Sequence, residues 1–550
     1  MARSPKFPKD KVIPQVETAG AAECTPSAFE RAIPLLLAAV LLLGWFSTEF
    51  QDSDSWWHLK TGEYLWQQHK LPAPDPFAWT TGIGASAYSG EEKVRYFNLT
   101  HEWLAQVVLY LAYAAGGFPG AILLRAALLT LFCGIAGLIA YHRTGGFYRS
   151  IGAAVLAGTV AASFASDRPF LFGFVFLAAT IAALEFRRGL WLLPPMFAVW
   201  ANMHGGYFLG WAPLGVYCAE AWLRKEPGPS QRRLWLVAAA SVAASGVNPN
   251  GFQALWVTLA YQGSAMQTGL LEWQHTAFWE LSWYSLALFG SAAALAISYK
   301  KVRPADWMLF ALFAAASIWA VRNIVLVGFL GPILLATYLP LRFRLPRAAE
   351  WAAPVLLLAG IVIGVVQHHS FQLRATAGQY PAGPAEFLLQ HGIKGRMFNT
   401  YPAGGFLIWK MWPHQQVFID GRALNESLYA DYRKILYQAD GPALAKYGIE
   451  IIAAEGFDIA GDLLPLTAIL SDPAQQEWKL VYQDGQGVVF LRNPPAGLPV
   501  LHSQDALTSL EAQCTERLAH APQARKCAES LVTLFKFVGD PVRAARWAVQ

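Results

Sequence analysis

A chain that returns again and again to apolar runs of near-spanning length has few ways to fold, and this one does so between residues 32 and 367. Hydrocarbon offers backbone N–H and C=O groups no partners, so a run of about 20 apolar residues entering a bilayer has to be helical. The candidate runs are 32–50, 102–117, 119–141, 150–166, 170–186, 190–201, 207–223, 232–247, 281–299, 305–321, 323–340 and 351–367. They predict a polytopic α-helical membrane protein of about 11–13 spans. Composition agrees: 55% of residues are apolar and 14% charged, against roughly 25% charged in soluble domains. Mean hydropathy is +0.31. The 22 tryptophans suit membrane–water boundaries. The net charge of +5 is modest, and its basic residues fall largely between apolar runs, so nucleic acid is not expected as a partner.

Basic residues in short loops stay in the cytoplasm. Arg3, Lys6, Lys9, Lys11 and Arg31 therefore make residues 1–31 a cytoplasmic tail. No small-residue cleavage site follows the first apolar run, so 32–46 reads as a signal anchor. Arg187/Arg188, Arg224/Lys225, Arg232/Arg233, Lys300/Lys301/Arg303 and Arg342/Arg344/Arg347 mark later inner loops. The opposite loops hold Asp52/Asp54, Asp167/Arg168, Asn202/His204, Asn248/Asn250, Glu272 and Arg322. One conflict remains. Counted from an inside start, the runs between 102 and 200 have the wrong parity to leave Arg187/Arg188 inside. One of them is not a span, and the thin 190–201 and 150–166 runs are the candidates.

Beyond the membrane domain at 32–367 the composition changes. Residues 368–495 read as a small α/β domain with strands near 395–400, 416–420, 450–453, 479–482 and 488–492 and helices near 425–439 and 441–447. Asp484-Gly485-Gln486-Gly487 is a hairpin signal between the last two strands. The 351–367 span places this domain outside the cytoplasm. Residues 496–550 form a helical tail broken at Pro522 and Pro541. The five cysteines lack metal-ligand spacing. Cys24 lies in the N-terminal tail, and Cys133 and Cys218 sit inside apolar runs as small core residues. Cys514 and Cys527 are expected to pair, because adjacent antiparallel helices bring Cα atoms within about 7 Å and compartments outside the cytoplasm permit the bond.

The chemistry concentrates after the first run, in Phe50-Gln51-Asp52-Ser53-Asp54-Ser55-Trp56-Trp57-His58-Leu59. Two carboxylates two residues apart put a charged point at the membrane surface, where one can take a proton from an acceptor hydroxyl while the other holds a substrate. The outer loop that follows, 51–101, is long and carries Thr61-Gly62-Glu63-Tyr64, Pro74-Asp75-Pro76-Phe77 and, at its end, His101-Glu102. That composition suits interfacial helices over a cavity. His101 and Glu102 can approach Asp52 from the re-entry point. Asn202-Met203-His204-Gly205-Gly206 combines an amide, an imidazole and two glycines. Asn248-Pro249-Asn250-Gly251 is either a turn or a ligand contact. Arg168 and Arg322 interrupt apolar sequence, where a charge usually faces a polar interior, and a guanidinium matches phosphate oxygens. Glu272, in Glu272-Trp273-Gln274-His275, is a weaker candidate. In the soluble domain, Asp420-Gly421-Arg422 reads equally as a binding group or an internal salt bridge.

An acidic pair after the first span, a long first outer loop, many spans and a C-terminal outer α/β domain together resemble the GT-C superfamily of membrane glycosyltransferases, over roughly residues 32–495. The flavour is that of bacterial polyprenyl-phosphate-sugar-dependent mannosyl- and aminoarabinose-transferring enzymes. The resemblance implies inverting transfer of a sugar from a polyprenyl-phosphate donor to a glycan, lipid or protein acceptor of the cell envelope, outside a bacterial inner membrane. It makes Asp52 or Asp54 the base or acceptor-positioning group, with Glu102 assisting. His101, Arg168, Asn202, His204, Asn248, Glu272 and Arg322 are the substrate-binding candidates. No cofactor is required, and a divalent metal at Asp52/Asp54 is not favoured. The alternatives are a ligase or polymerase using a lipid-diphosphate glycan, and a non-enzymatic transporter or scaffold of glycan assembly.

Overall fold

The computed structural model describes residues 28–260, 266, 271–340, 352–458, 460–472, 474–520 and 525–549. Arg3, Lys6, Lys9, Lys11, Cys24, Arg342, Arg344, Arg347 and Pro522 lie outside the described residues. The chain is mostly helical. It opens with α1 (Ala28–Phe46), α2 (Ser53–Gln68), α3 (Glu91–Thr100), α4 (Trp103–Thr144), α5 (Phe147–Ala161) and α6 (Phe170–Phe186). There follow α7 (Leu193–Met203), α8 (Trp211–Leu223), α9 (Gly228–Ala244) and α10 (Gln253–Ala260), and then apolar helices Trp283–Ile297, Pro304–Trp319, Ile324–Tyr338 and Ala352–Val366. Among the described residues three helical stretches, 91–144, 147–164 and 321–338, are long and apolar enough to cross a membrane, and shorter apolar helices accompany them. Leucines on their outer faces, such as Leu131, Leu138, Leu312 and Leu356, are left uncovered by protein. This is an integral membrane protein.

The two ends of the bundle are chemically different. At one end Arg143 pairs with Glu185 at 2.9 Å and Asp306 at 3.0 Å, and Arg303 reaches the same two carboxylates. Tyr217 and Tyr338 donate to Glu185 and Asp306 at 2.7 and 2.6 Å. The basic groups at 187–188, 224–225 and 300–303 gather at this end. Buried charge survives only when paired and hydrogen-bonded, and here each carboxylate meets two guanidinium groups and a hydroxyl. Asp52, Arg168, His204, Glu272 and Arg322 gather at the other end.

α4 accounts for the parity conflict. It is two helices joined at Gly117, whose φ of 62° and ψ of −152° belong to a region open essentially to glycine. Phe118 packs on Phe50 and Trp56, with ring centroids 5.3 and 5.6 Å away. At its start, Trp103 donates to Asn202 Oδ1 at 2.7 Å. Both ends of 103–116 therefore lie at the site end of the bundle. A Cβ on Gly120 would overlap the carbonyl of Ala112, so the chain doubles back tightly there. The 102–117 run is the one that fails to traverse the bundle. The two runs singled out from sequence, 150–166 and 190–201, form α5 and α7, each with its C-terminal end towards the site end. An apolar run of about 16 residues reads as spanning whether it crosses or lies along the surface, because hydropathy does not record direction.

Arg125 fastens the turn. It is buried, and its guanidinium donates to Phe46 O at 3.0 Å, to Ala165 O at 3.2 Å, to Asp167 Oδ2 at 2.6 Å and to Thr48 O. One side chain thus ties α1, α4 and the α5–α6 loop.

The C-terminal part is an α/β unit. Its sheet has the order β1-β2-β4-β3, with β1 (Met397–Asn399) parallel to β2 (Ile451–Ala454), and β4 (Val488–Leu491) antiparallel to both β2 and β3 (Lys479–Gln483). Asp484 closes the β3–β4 hairpin by accepting from Gln486 N at 2.8 Å and Gly487 N at 3.0 Å. The expected strand at 416–420 is not in the sheet. It bridges instead to the outer loop of the membrane domain, with Val417 N donating to Phe77 O at 3.0 Å and Trp79 N to Val417 O at 3.2 Å. Its consecutive apolar residues Val417, Phe418 and Ile419 are all buried, and its backbone is satisfied by a segment more than 300 positions away. The tail helices Asp505–His520 and Lys526–Phe537 are joined by a Cys514–Cys527 disulfide, Cα atoms 5.6 Å apart.

Candidate active site at the acidic end of the bundle

Asp52 is the N-cap of α2 and accepts from Asp54 N at 2.8 Å. A carboxylate there satisfies an otherwise orphaned backbone donor, and this role occupies one of its oxygens. Asp54, in the first turn, has both oxygens engaged by side chains. Its Oδ1 accepts from Trp57 Nε1 at 3.1 Å and its Oδ2 lies 3.1 Å from Arg168 Nη2. Arg168 Nη1 lies 4.0 Å from Asp52 and 3.6 Å from Glu272. Glu272 in turn lies 3.7 Å from Arg322, whose guanidinium stacks over Trp273 at 4.4 Å. Five expected site residues thus form one chain of contacts from Asp52 through Asp54, Arg168 and Glu272 to Arg322.

Glu102 is the centre of a second group. His101 Nε2 approaches it to 3.4 Å, while His204 Nε2 and His58 Nδ1 each lie 3.9 Å away. Gln106 donates to His58 Nδ1 at 3.2 Å, and Gly206 N donates to His204 Nδ1 at 3.2 Å. The backbone donor of Gly206 assigns His204 the neutral tautomer with the proton on Nε2. Burial holds His58 down at about 3, with Glu102 pulling the other way, and holds His204 down at about 3 for the same reason. Both rings are neutral near pH 7. Asp54 moves oppositely: burial pushes its carboxyl up to about 7, against the pull of Arg168 and with the repulsion of Asp52 adding to burial. A carboxyl poised there exchanges protons at working pH.

Two expected contacts lie elsewhere. Asn248 spends its amide on its own turn, donating to Ser245 O and Gly251 O at 2.8 Å each and accepting from Asn250 N. Asn202 braces α7 against neighbouring segments, donating to Ala198 O and Val247 O while accepting from Trp103. The turn reading holds for Asn248 because a two-residue Asn–Asn closure uses every donor it has. His58 had no assigned role, although it stands four residues after Asp54 on one helix, the spacing that puts side chains on a common face.

The C-terminal α/β domain reaches this site too. Asp420 and Asp75 both grip Arg422, Nη1 and Nη2 lying 2.7 and 3.0 Å from the Asp75 oxygens and Nε lying 2.7 Å from Asp420. All three groups are buried. Of the two readings open for Asp420 and Arg422, binding group or internal salt bridge, the structure has the two side chains paired, and the pairing extends to Asp75 in the loop after α2.

No protein-family model matches the sequence, and no curated protein matches it. Solved structures do. The Archaeoglobus fulgidus oligosaccharyltransferase in its apo form aligns over 86% of this chain and 76% of its own, with a TM-score of 0.53 and 9% identity. In fold the chain is similar to an oligosaccharyltransferase. A second structure of that protein, in complex with Zn and sulfate, aligns over 86% and 74% with a TM-score of 0.49 and 10% identity.

Among the described residues no group of three or more His, Cys, Asp or Glu side chains stands in an arrangement that could hold a metal ion. Asp54 points at Arg168 and Asp167 at Arg125.

Proposed function

We propose that this protein is a membrane glycosyltransferase that moves a sugar from a polyprenyl-phosphate donor to an envelope acceptor at the outer face of the membrane. The observation that carries the reading is the Asp54–Arg168–Glu272–Arg322 chain of contacts, which sets a carboxyl of raised pKa beside one guanidinium and links it through Glu272 to a second. Asp54 takes the proton from the acceptor hydroxyl. Asp52, whose expected role was the same, is better placed to hold the helix start and the charge balance. Arg168 and Arg322 stabilise negative charge as it develops on the departing phosphate, which is where preorganised cations act most strongly. The Glu102 group, with its two neutral imidazoles, orients the acceptor or the sugar hydroxyls.

The fold likeness favours a second reading, transfer of a preassembled oligosaccharide, with a lipid diphosphate as the leaving group. Purified protein in lipid nanodiscs, given panels of radiolabelled polyprenyl-phosphate and polyprenyl-diphosphate sugars with an envelope extract as acceptor, separates the two by the lipid released. Release of polyprenyl phosphate by the wild type and not by Asp54→Asn is expected. Release of diphosphate establishes the second reading, and release from neither panel overturns both.

A further inference from the structure

The segment Phe418-Ile419-Asp420-Gly421-Arg422 belongs to the outer domain by sequence, yet it touches the acidic end of the bundle. A Cβ placed on Gly421 would overlap Asp54 Oδ1, would lie 3.1 Å from Asp54 Cγ, and would lie 3.5 Å from Trp57 Nε1. The φ of Gly421 is not positive, so its backbone shape does not demand glycine; the space does. Gly405 makes a parallel approach: a Cβ there would overlap the carbonyl of Ser53 and lie 3.1 Å from Trp57 Cδ1. Arg422 holds the segment in place through its paired carboxylates, Asp420 beside it and Asp75 from the membrane domain.

We propose that Gly421 is a positioning residue for Asp54: the outer domain supplies the wall that keeps this carboxyl between Arg168 and Trp57, so the reaction site is complete only when both domains are docked. The inference rests on the reading of Asp54 as the proton acceptor. The mechanism is steric. The Asp54 side chain has one methylene and is held at both oxygens, so a methyl group at 421 forces the carboxyl to give way, and what it gives up is its contact with Arg168 or Trp57. The groups facing Asp54 are Asp52 on its own segment, Arg168 ahead of α6, Glu272, and Tyr380 at longer range, with Asp420 and Arg422 neutralising each other behind the wall. Removing Arg168 from that set leaves burial and two carboxylates, all of which favour the protonated acid.

The test needs no substrate. Full-length protein in nanodiscs is titrated from about pH 5 to about pH 9 by infrared spectroscopy of the protonated-carboxyl stretch, and the band missing in Asp54→Asn identifies Asp54. Gly421→Ala is expected to raise the midpoint of that band by roughly half a unit or more. Where Gly421→Ala does not fold, Asp75→Asn loosens one grip on Arg422, lets water reach the carboxyl, and is expected to lower the midpoint instead. An unmoved midpoint and frequency in the folded variant overturns the proposal. So does a wild-type spectrum from which Asp54→Asn removes no band, since the wall is what keeps that carboxyl dry. Full turnover by Asp54→Asn would overturn the base assignment separately, because the band reports on the wall alone.

Discussion

Asp52 and Asp54 differ by two positions and by everything around them. The first caps a helix with one oxygen; the second meets a guanidinium and an indole inside the protein. Asp54→Asn is expected to lower turnover by about 10²–10⁴-fold, the usual worth of a positioned base, while Asp52→Asn costs much less, because asparagine caps a helix about as well as aspartate. Steady-state rates of the two variants, measured on the same nanodisc preparations, decide between them. The acid limb follows from the direction of the shift: a base raised to about 7 is lost as pH falls through 7. Stability has its own pH dependence. His58 and His204 are held neutral in the folded state, down to about 3, whereas unfolded imidazole binds its proton near 6.5. Between those values the unfolded chain carries more protons, so folding weakens as pH falls from about 6.5 towards 3. Thermal unfolding across that range should show the loss, and His58→Gln should flatten part of it.

Elements meet through Arg125, and the cost of removing it depends on what remains. Arg125→Met leaves Asp167 buried without a partner and is expected to destabilise the fold by about 3–5 kcal/mol, whereas adding Asp167→Leu restores most of that loss. Thermal shifts of the single and double variants measure the coupling. Polar side chains that interrupt apolar sequence, such as Arg168, His204 and Arg322, announce the site end because charge at membrane depth is expensive. The path of 103–116 was less legible. Its apolar content matched a span, and the opposing signal was the punctuation Gly116-Gly117-Phe118-Pro119-Gly120, a turn cluster whose local meaning outweighs hydropathy. The partner of the 416–420 segment was hidden for a related reason: an apolar run such as Val417-Phe418-Ile419 marks an extended piece without naming what it pairs with, and here the partner lies some 340 positions earlier. Gly421 was invisible for a third reason, since nothing in a sequence states what another domain will press against.

For the molecule as a whole, the tail disulfide is a reporter of compartment. Cys133 and Cys218 are free and buried, so a membrane-impermeant maleimide applied to intact cells should label little before reduction and Cys514 and Cys527 after it. Labelling of both tail cysteines without reductant, and only in permeabilised cells, would put the outer domain in the cytoplasm and reverse the orientation. Loss of the bridge by Cys514→Ser with Cys527→Ser is expected to cost the tail about 3 kcal/mol in the chain-entropy model, read as an earlier local unfolding step with the membrane bundle unchanged. The Asp75–Arg422–Asp420 junction predicts the opposite pattern, in which damage to one domain is felt in the other.

The bend at Gly117 has an arithmetic that reaches far beyond its neighbours. Straightened, the 42 residues of α4 would make a rod of about 63 Å, roughly twice the thickness of a bilayer's oily interior. Folded back, they keep 103–116 at the site end and send only the second half of the helix along the bundle. A residue without a side chain in this way lets one helix brace the site with its first half and the bundle with its second.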